Sequence, residues 1–330
     1  MAMTLNDMKV GMNDKVSEQV VDIFVRESEI LQALPFDNCV SPSGGSTLTY
    51  TYLQTLLPSV ATFRGLNTEY TANEATLVKK AADLKIFGGK FSMDRVLKQA
   101  EGKFNNMAFQ MEQKIRAAVG LFHYTLINGD ATTNPLEFDG LDKMLAGTTS
   151  EFNADGVIDI STMALLKENA DQFYEMLQNL IKATDADALL LNTATISKIQ
   201  TMARILGYKT ESEEAFGRKI TTMDGVRFMD LKNTYSQGEG APVATPCVPV
   251  ADGKTAIYAV KFDVNDGFHG VTLTGNSGIT QYIPDFNKPG AVKDGEVEMV
   301  AATVLKNTVH GGVLRNVKIV SAVVADESDN

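Results

Sequence analysis

Between Ser92 and Asn128 apolar residues recur at steps of three and four. Val96, Leu97, Ala100, Phe104, Met107, Ala108, Met111, Ile115, Ala118, Val119 and Phe122 lie on one stripe of a 3.6-residue period. The spacing predicts an amphipathic helix with one face buried along its length. Asp94 suits its N-terminus and Asn128-Gly129 its stop, so the helix runs about 35 residues, or roughly 50 Å at 1.5 Å per residue. A helix of that length either pairs with another like it or crosses a sheet as a beam. No second stripe of similar length occurs in the chain, so a beam is expected.

The remaining pattern divides the chain. Residues 4–34 carry a stripe of Val16, Val20, Ile23, Phe24, Ile30 and Leu34 closed by Pro35, and residues 37–46 read as an irregular Asn-, Ser-, Pro- and Gly-containing connector. Such a segment is either an arm or a helix packed on its own domain. Leu48, Tyr50 and Tyr52 alternate with Thr47, Thr49 and Thr51, which predicts a strand, and residues 84–91 predict another. Between them, residues 67–83 are polar without an apolar stripe, the mark of a loop, a lid or a surface made for a partner.

Downstream, residues 147–156 form a polar connector. Residues 165–183 predict a helix on Leu166, Ala170, Phe173, Leu177 and Leu180, residues 187–192 a short buried strand, and residues 194–206 a helix with Gly207 at its C-cap. Strands follow over 219–222, 226–229, 256–262, 270–274, 297–306 and 313–323, with a Pro- and Gly-containing irregular stretch at 235–252. Helices first and strands after give an α+β class. The acidic tail, residues 326–330, is expected to be disordered.

Composition narrows the function. With 330 residues, 44% hydrophobic and 22% charged, the chain can bury a large core. A net charge of -11 opposes nucleic-acid binding, which needs clustered Lys and Arg. The first residues lack the basic start and apolar run of a signal peptide, and no stretch is long and apolar enough to span a bilayer, so a membrane role is not expected. Cys39 and Cys247 stand far apart without a CxxC and read as isolated thiols.

Chemistry is scarce. His123 lies on the long helix, His269 in a Gly-flanked turn and His310 before a Gly pair, none with a second ligand at metal spacing. No nucleophile elbow or phosphate loop occurs, and Gly238-Glu239-Gly240 lacks the third glycine of a dinucleotide fingerprint. Two acidic turns, Glu151 to Gly156 and Asp263 to Gly267, miss the calcium-loop pattern: the first has Thr162 where a bidentate Glu belongs, and the second has its glycine one position early. No catalytic residue, cofactor or metal ligand is therefore assigned.

The long helix, its exit Leu126-Ile127-Asn128-Gly129-Asp130 and the following Glu137-Phe138-Asp139-Gly140-Leu141 resemble the major capsid proteins of tailed bacteriophages, the Hong Kong-type fold shared with encapsulin shells. The order of segments carries the resemblance over residues 15–320, including 186–208, which resembles the strand-then-helix entry to the axial domain, and 216–230 and 255–271, which resemble later strands. It implies an N-terminal arm (1–46), an extended β-hairpin loop (47–92) that overlaps a neighbouring subunit, a peripheral domain with the spine helix (93–164 and 291–312) and an axial domain (165–290 and 313–325).

By that resemblance the function is structural and non-enzymatic: a major capsid subunit self-assembling through pentamers and hexamers into an icosahedral head around phage DNA, without sequence-specific contact. It implies a virion protein assembled in the bacterial cytoplasm, with scaffolding, portal and decoration proteins as further partners. Since the chain starts at the arm, scaffolding would be a separate protein or already removed. The rival readings are an encapsulin-like compartment enclosing cargo enzyme and an enzyme with a loop lid. Some relatives join subunits by a Lys–Asn isopeptide bond; Lys79, Lys80, Lys85 and Asn307 are present, but no local motif matches and no crosslink is expected.

Overall fold

The computed structural model describes residues 28–39, 48–57, 59–74, 76–100, 106–153, 155–207, 211–215, 218–238, 241–273 and 279–320. In chain order, α1 (Glu29–Ala33) and β1 (Phe36–Asn38) precede a hairpin of β2 (Thr49–Leu57) and β3 (Thr76–Asp83), then β4 (Lys85–Asp94), α2 (Arg95–Gln99), α3 (Asn106–Asn128) and α4 (Leu141–Leu145). Next come β5 (Glu151–Phe152), β6 (Ile158–Asp159), α5 (Met163–Glu168), α6 (Ala170–Thr184), β7 (Ala188–Leu191), α7 (Thr193–Leu206), β8 (Glu211–Ala215), β9 (Arg218–Met223) and β10 (Val226–Asp230). The chain closes with β11 (Asn233–Gln237), β12 (Pro242–Pro246), β13 (Lys254–Val260), β14 (Phe268–Thr272), β15 (Thr280–Tyr282), β16 (Val292–Leu305) and β17 (Gly311–Lys318).

Two sheets organise these elements. The first runs β1-β14-β16-β15, with β4 paired antiparallel to β16 from Asp94 opposite Val292 to Lys85 opposite Ala301. The helix α3 lies across its inner face: Phe122 stacks on Phe87 with ring centroids 6.0 Å apart, and Met111 packs with Phe91 and Val297. Over Asn106–Asn128 the stripe is buried on a sheet, the beam that the periodicity predicts, whereas the stripe's first member, Val96, is 65% exposed and α2 buries no side chain.

Ser92 to Asp94 complete β4 against β16, and the helical region opens at Asp94 as the sequence suggests. Asp94 caps the short α2 by accepting from Val96 N, and Ala100 closes α2. Residues 101–105 fall outside the described residues.

The second sheet runs β5-β17-β13-β7-β10-β9-β8, with β6 also on β17. In β7, Leu189 and Leu191 face α6 and α7 with Phe173, Leu177, Ile199 and Met202, while Ala188 and Leu190 face the core shared with α3 and the first sheet. A strand buried on both faces has no polar side, which is why residues 188–191 read as a continuous apolar run. The helix predicted over 165–183 divides at Asn169, whose Nδ2 donates to the Asp159 carbonyl at 2.8 Å and whose backbone leaves helical geometry.

Other expectations shift too. Residues 235–252 are not wholly irregular: β11 and β12 pair over five residues, and β11 lies on α3. Their prolines fall at the ends of a two-stranded ribbon, where few amide donors are needed. Of the stripe predicted over residues 4–34, Ile30 and Leu34 are described, and both are buried in the chain's own core. The stripe's earlier members, and the tail at 326–330, lie outside the described residues.

The motif at the exit of α3 is a crossing of backbones. Gly140 N donates to Gly129 O at 2.8 Å. A Cβ on Gly140 would sit 2.5 Å from Ile127 O, and one on Gly129 would sit 2.1 Å from Phe138 O. Only glycine permits this approach, which folds α4 back beneath the spine.

Candidate assembly surfaces

The β2–β3 hairpin leaves the first sheet at Leu84, whose N–H donates to Leu48 O at 2.7 Å. Register pairs Tyr50 with Ala82, Tyr52 with Lys80 and Leu53 with Lys79. Paired residues share a face, so Tyr50, Tyr52 and Gln54 form one side and Thr49, Thr51, Leu53, Leu77, Lys79 and Ala81 the other.

The first side is anchored in the chain. Tyr50 OH donates to Asp37 Oδ2 at 2.6 Å, its ring meets His269 edge-on at 6.0 Å, and Lys306 Nζ sits 5.6 Å from the ring centroid. Burial, reinforced by Asp37, pushes the Tyr50 phenol up, so it stays a neutral donor. Burial and Lys306 hold His269 below its ordinary value and therefore neutral at pH 7. The expectation of a turn at His269 is corrected: it is fully buried in β14, because Phe268 to Thr272 pair between two strands.

The opposite side is more exposed. Leu53 and Leu77 are 62% and 58% exposed, and Lys79 has no ion-pair partner among the described residues. The expectation that residues 67–83 are one polar loop is corrected, since Thr76–Asp83 is a strand that takes its backbone partners from β2.

The tip, residues 59–74, is exposed throughout. It turns at Gly65 to Thr68, with Asn67 at φ 62° and Thr68 Oγ1 donating to Gly65 O, and Arg64 lies over the Tyr70 ring. Phe63 and Leu66 project with 107% and 92% exposure. Large apolar side chains presented this way on an ordered hairpin mark an interaction surface. The polar composition of residues 67–83 drew attention to the loop, yet the most exposed apolar residues of the tip, Phe63 and Leu66, lie just before that window.

A second surface is the outer face of the first sheet. On β4 the residues facing away from α3 are Ile86, Gly88, Lys90 and Ser92, opposite Val300, Glu298, Glu296 and Asp294 of β16. Ile86 and Tyr282 are 61% and 52% exposed. Lys90 pairs with Asp294 at 2.7 Å, leaving Glu296 and Glu298 without an ion pair among the described residues. At the end of β4, Ile86, Leu121, Phe122 and Leu136 line a groove of about 330 Å³.

The residues inspected for chemistry are held in hydrogen bonds and ion pairs of the fold. His123 is buried: Nδ1 donates to Leu231 O, so Nε2 accepts from Ser28 Oγ at 2.6 Å, and burial lowers its pKa to about 4. Ser28 Oγ meanwhile accepts from Leu31 N and so caps α1. His310 lies 3.2 Å from Asp266. Glu151 accepts from Gly147 N and pairs with Arg315, which also holds Asp142 at 2.7 Å; Asp142 accepts from Tyr258 OH at 2.8 Å. This network joins α4 to the second sheet.

Asp263 accepts from Asn265 N within a turn. No group of three or more metal-ligating side chains occurs among the described residues. Lys85 donates to Pro135 O, and Asn307 caps a short 3-10 turn by accepting from Val309 N. Cys247 is buried with its thiol pushed up to about 12, which makes it unreactive.

No protein-family profile and no curated protein matches the sequence. Solved structures do. An encapsulin complex from Synechococcus elongatus matches with a TM-score of 0.64 at 13% identity, over 97% of this chain and 98% of that one. A Mycobacterium phage Bobi chain matches at 0.59 and 12% identity, over 96% and 99%, and the capsid of a native GTA particle at 0.55 and 11%, over 94% and 95%. The chain therefore has the Hong Kong-type capsid fold, of mixed helices and strands, along nearly its whole length.

Proposed function

We propose that this chain is the major capsid subunit of a tailed phage, a structural protein that assembles with copies of itself into a closed icosahedral head. The observation that carries the reading is the anchored hairpin with an exposed apolar face and tip, set on a capsid fold. In this reading residues 1–46 are an arm, 47–92 the extended loop, 93–164 with 291–312 the peripheral domain, and 165–290 with 313–325 the axial domain.

Overlapping hairpins make many weak contacts add. One millimolar contact is worth only about 4 kcal/mol, but several per subunit, closing rings of five and six, give a stable shell. The negative net charge suits a lining that encloses DNA without gripping it. The protein would reside in the virion after assembly in the bacterial cytoplasm, with portal and scaffolding proteins as partners. A second reading, a compartment enclosing cargo protein, is supported by the encapsulin having the highest TM-score of the three matches described.

Light scattering of the purified protein, alone and with a candidate scaffold, tests the proposal. Particles of uniform, megadalton size are expected; monomers or dimers across all salt and protein concentrations would contradict it. Nucleic acid inside particles isolated from the native source supports the phage head, and co-purifying protein cargo the compartment.

A further inference from the structure

We propose that His269 is a proton-operated catch for the β2–β3 hairpin, holding its root against the first sheet at neutral pH and letting it swing away in acid. The inference does not depend on the shell reading, because it concerns one subunit.

The hairpin can move as a unit. Among the described residues β2 and β3 pair only with each other, so no backbone ladder ties them to either sheet. Side chains fix the root instead. Tyr50 OH donates to Asp37 beside β14, the Tyr50 ring meets His269 edge-on, and Gln54 Nε2 donates to Leu305 O at 3.5 Å. Swinging β2 away would break these contacts and leave the ladders of the first sheet whole.

The catch is an imidazole that cannot take a second proton where it stands. His269 lies inside β14, between β1 and β16, and is 0% exposed. Its Nδ1 faces Gly267 O at 3.4 Å, and a carbonyl only accepts, so Nδ1 carries the proton. Nε2 is buried and has no hydrogen-bond partner among the described residues. Protonating it would bury a cation and add an N–H without an acceptor, both of them costly.

Charged groups face the ring from several elements. Asp37 on β1 and Asp263 in the β13–β14 link favour the cation, and Lys306, just past β16, opposes it. Asp37 is already engaged, accepting from Tyr50 OH and Asn38 N. The Tyr50 phenol and the Cys39 thiol beside Asp37 are both pushed up and stay neutral. Burial first and Lys306 second therefore hold His269 below the ordinary histidine value. Once the hairpin opens, water reaches the ring and the proton is accepted near that ordinary value. The open form thus binds the extra proton, so the closed form is fully favoured above about pH 6.5 and loses ground as pH falls.

Hydrogen exchange of free subunits, read by mass spectrometry at stepped pH and corrected for the intrinsic rate, tests it. From pH 7.5 to 5, peptides over 48–57 and 76–84 should lose about tenfold in protection, while β7, which reports opening of the whole core, should not. His269→Gln keeps a neutral polar side chain and should abolish the acid loss. Lys306→Met removes the opposing cation, so the closed ring takes a proton more readily. Whatever its protection at pH 7.5, its acid loss should shrink to about threefold or less.

Wild-type hairpin protection that stays flat with pH, or that falls in step with β7, would overturn the catch. So would an acid loss that persists at full size in His269→Gln, or in Lys306→Met, which decides the matter if the first variant does not fold. Particle formation enters none of these readings, so the shell reading would stand.

Discussion

The second sheet and the β2–β3 hairpin use apolar residues in opposite ways. In β7 every residue from Ala188 to Leu191 is fully buried, and α6 and α7 cover one face while the spine's core covers the other. On the hairpin, Leu53, Phe63, Leu66 and Leu77 stand in solvent, although its base is fixed by Tyr50, Asp37 and Lys306. One region is complete within a single chain. The other is fixed at its root and leaves Leu53, Leu77 and its tip exposed among the described residues, which is what a subunit needs if its last contacts are to come from its neighbours.

The largest effects should separate the two regions. Phe173→Ala or Leu190→Ala removes a fully buried side chain and should cost about 2–5 kcal/mol of subunit stability by chemical denaturation. Phe63→Ala should leave that stability unchanged and weaken only particle formation. A Phe63→Ala subunit as destabilised as the core variants would erase the distinction between the regions.

The N-terminal root of the core offers a pH test. His123 titrates near 4 when folded and near its ordinary value of about 6.5 when unfolded, so between these values the unfolded chain binds the extra proton. Its contribution is fully present above about pH 6.5 and is lost as pH falls toward 4, amounting to about 3 kcal/mol. His123→Gln should flatten that acid slope in denaturation curves taken at stepped pH. An unchanged slope would place the sensitivity elsewhere.

The smallest effect concerns a local signal. Asn192 caps α7 by accepting from Thr195 N at 2.9 Å, and Asn192→Ala should cost about 1 kcal/mol, read as a modest fall in melting temperature. No change would mean that solvent replaces the cap.

These regions also differed in how far the sequence revealed them. The helix α7 was legible because its signals are local: an apolar stripe, and a Gly207 that ends it at φ 78°. The spine was legible for the same reason over Asn106–Asn128. Its N-terminal signal was legible as well, since Asp94 caps the first turn after β4 while Ser92 to Asp94 close a ladder with β16, about 200 residues away. The β11–β12 ribbon was hidden by prolines that mimic a loop. The hairpin was visible as a segment that buries little of its own surface, but its apolar tip and the acidic sheet face are recognisable only once the fold shows that none of the described residues covers them.

The central claim is that neighbours complete the hairpin, and limited trypsin digestion tests it most directly. Arg64 lies in the exposed tip and is the natural cleavage site there. The account predicts rapid cleavage after Arg64 in free subunits and strong suppression in assembled particles, with mass spectrometry identifying the fragments. Equal cleavage in both states would contradict it.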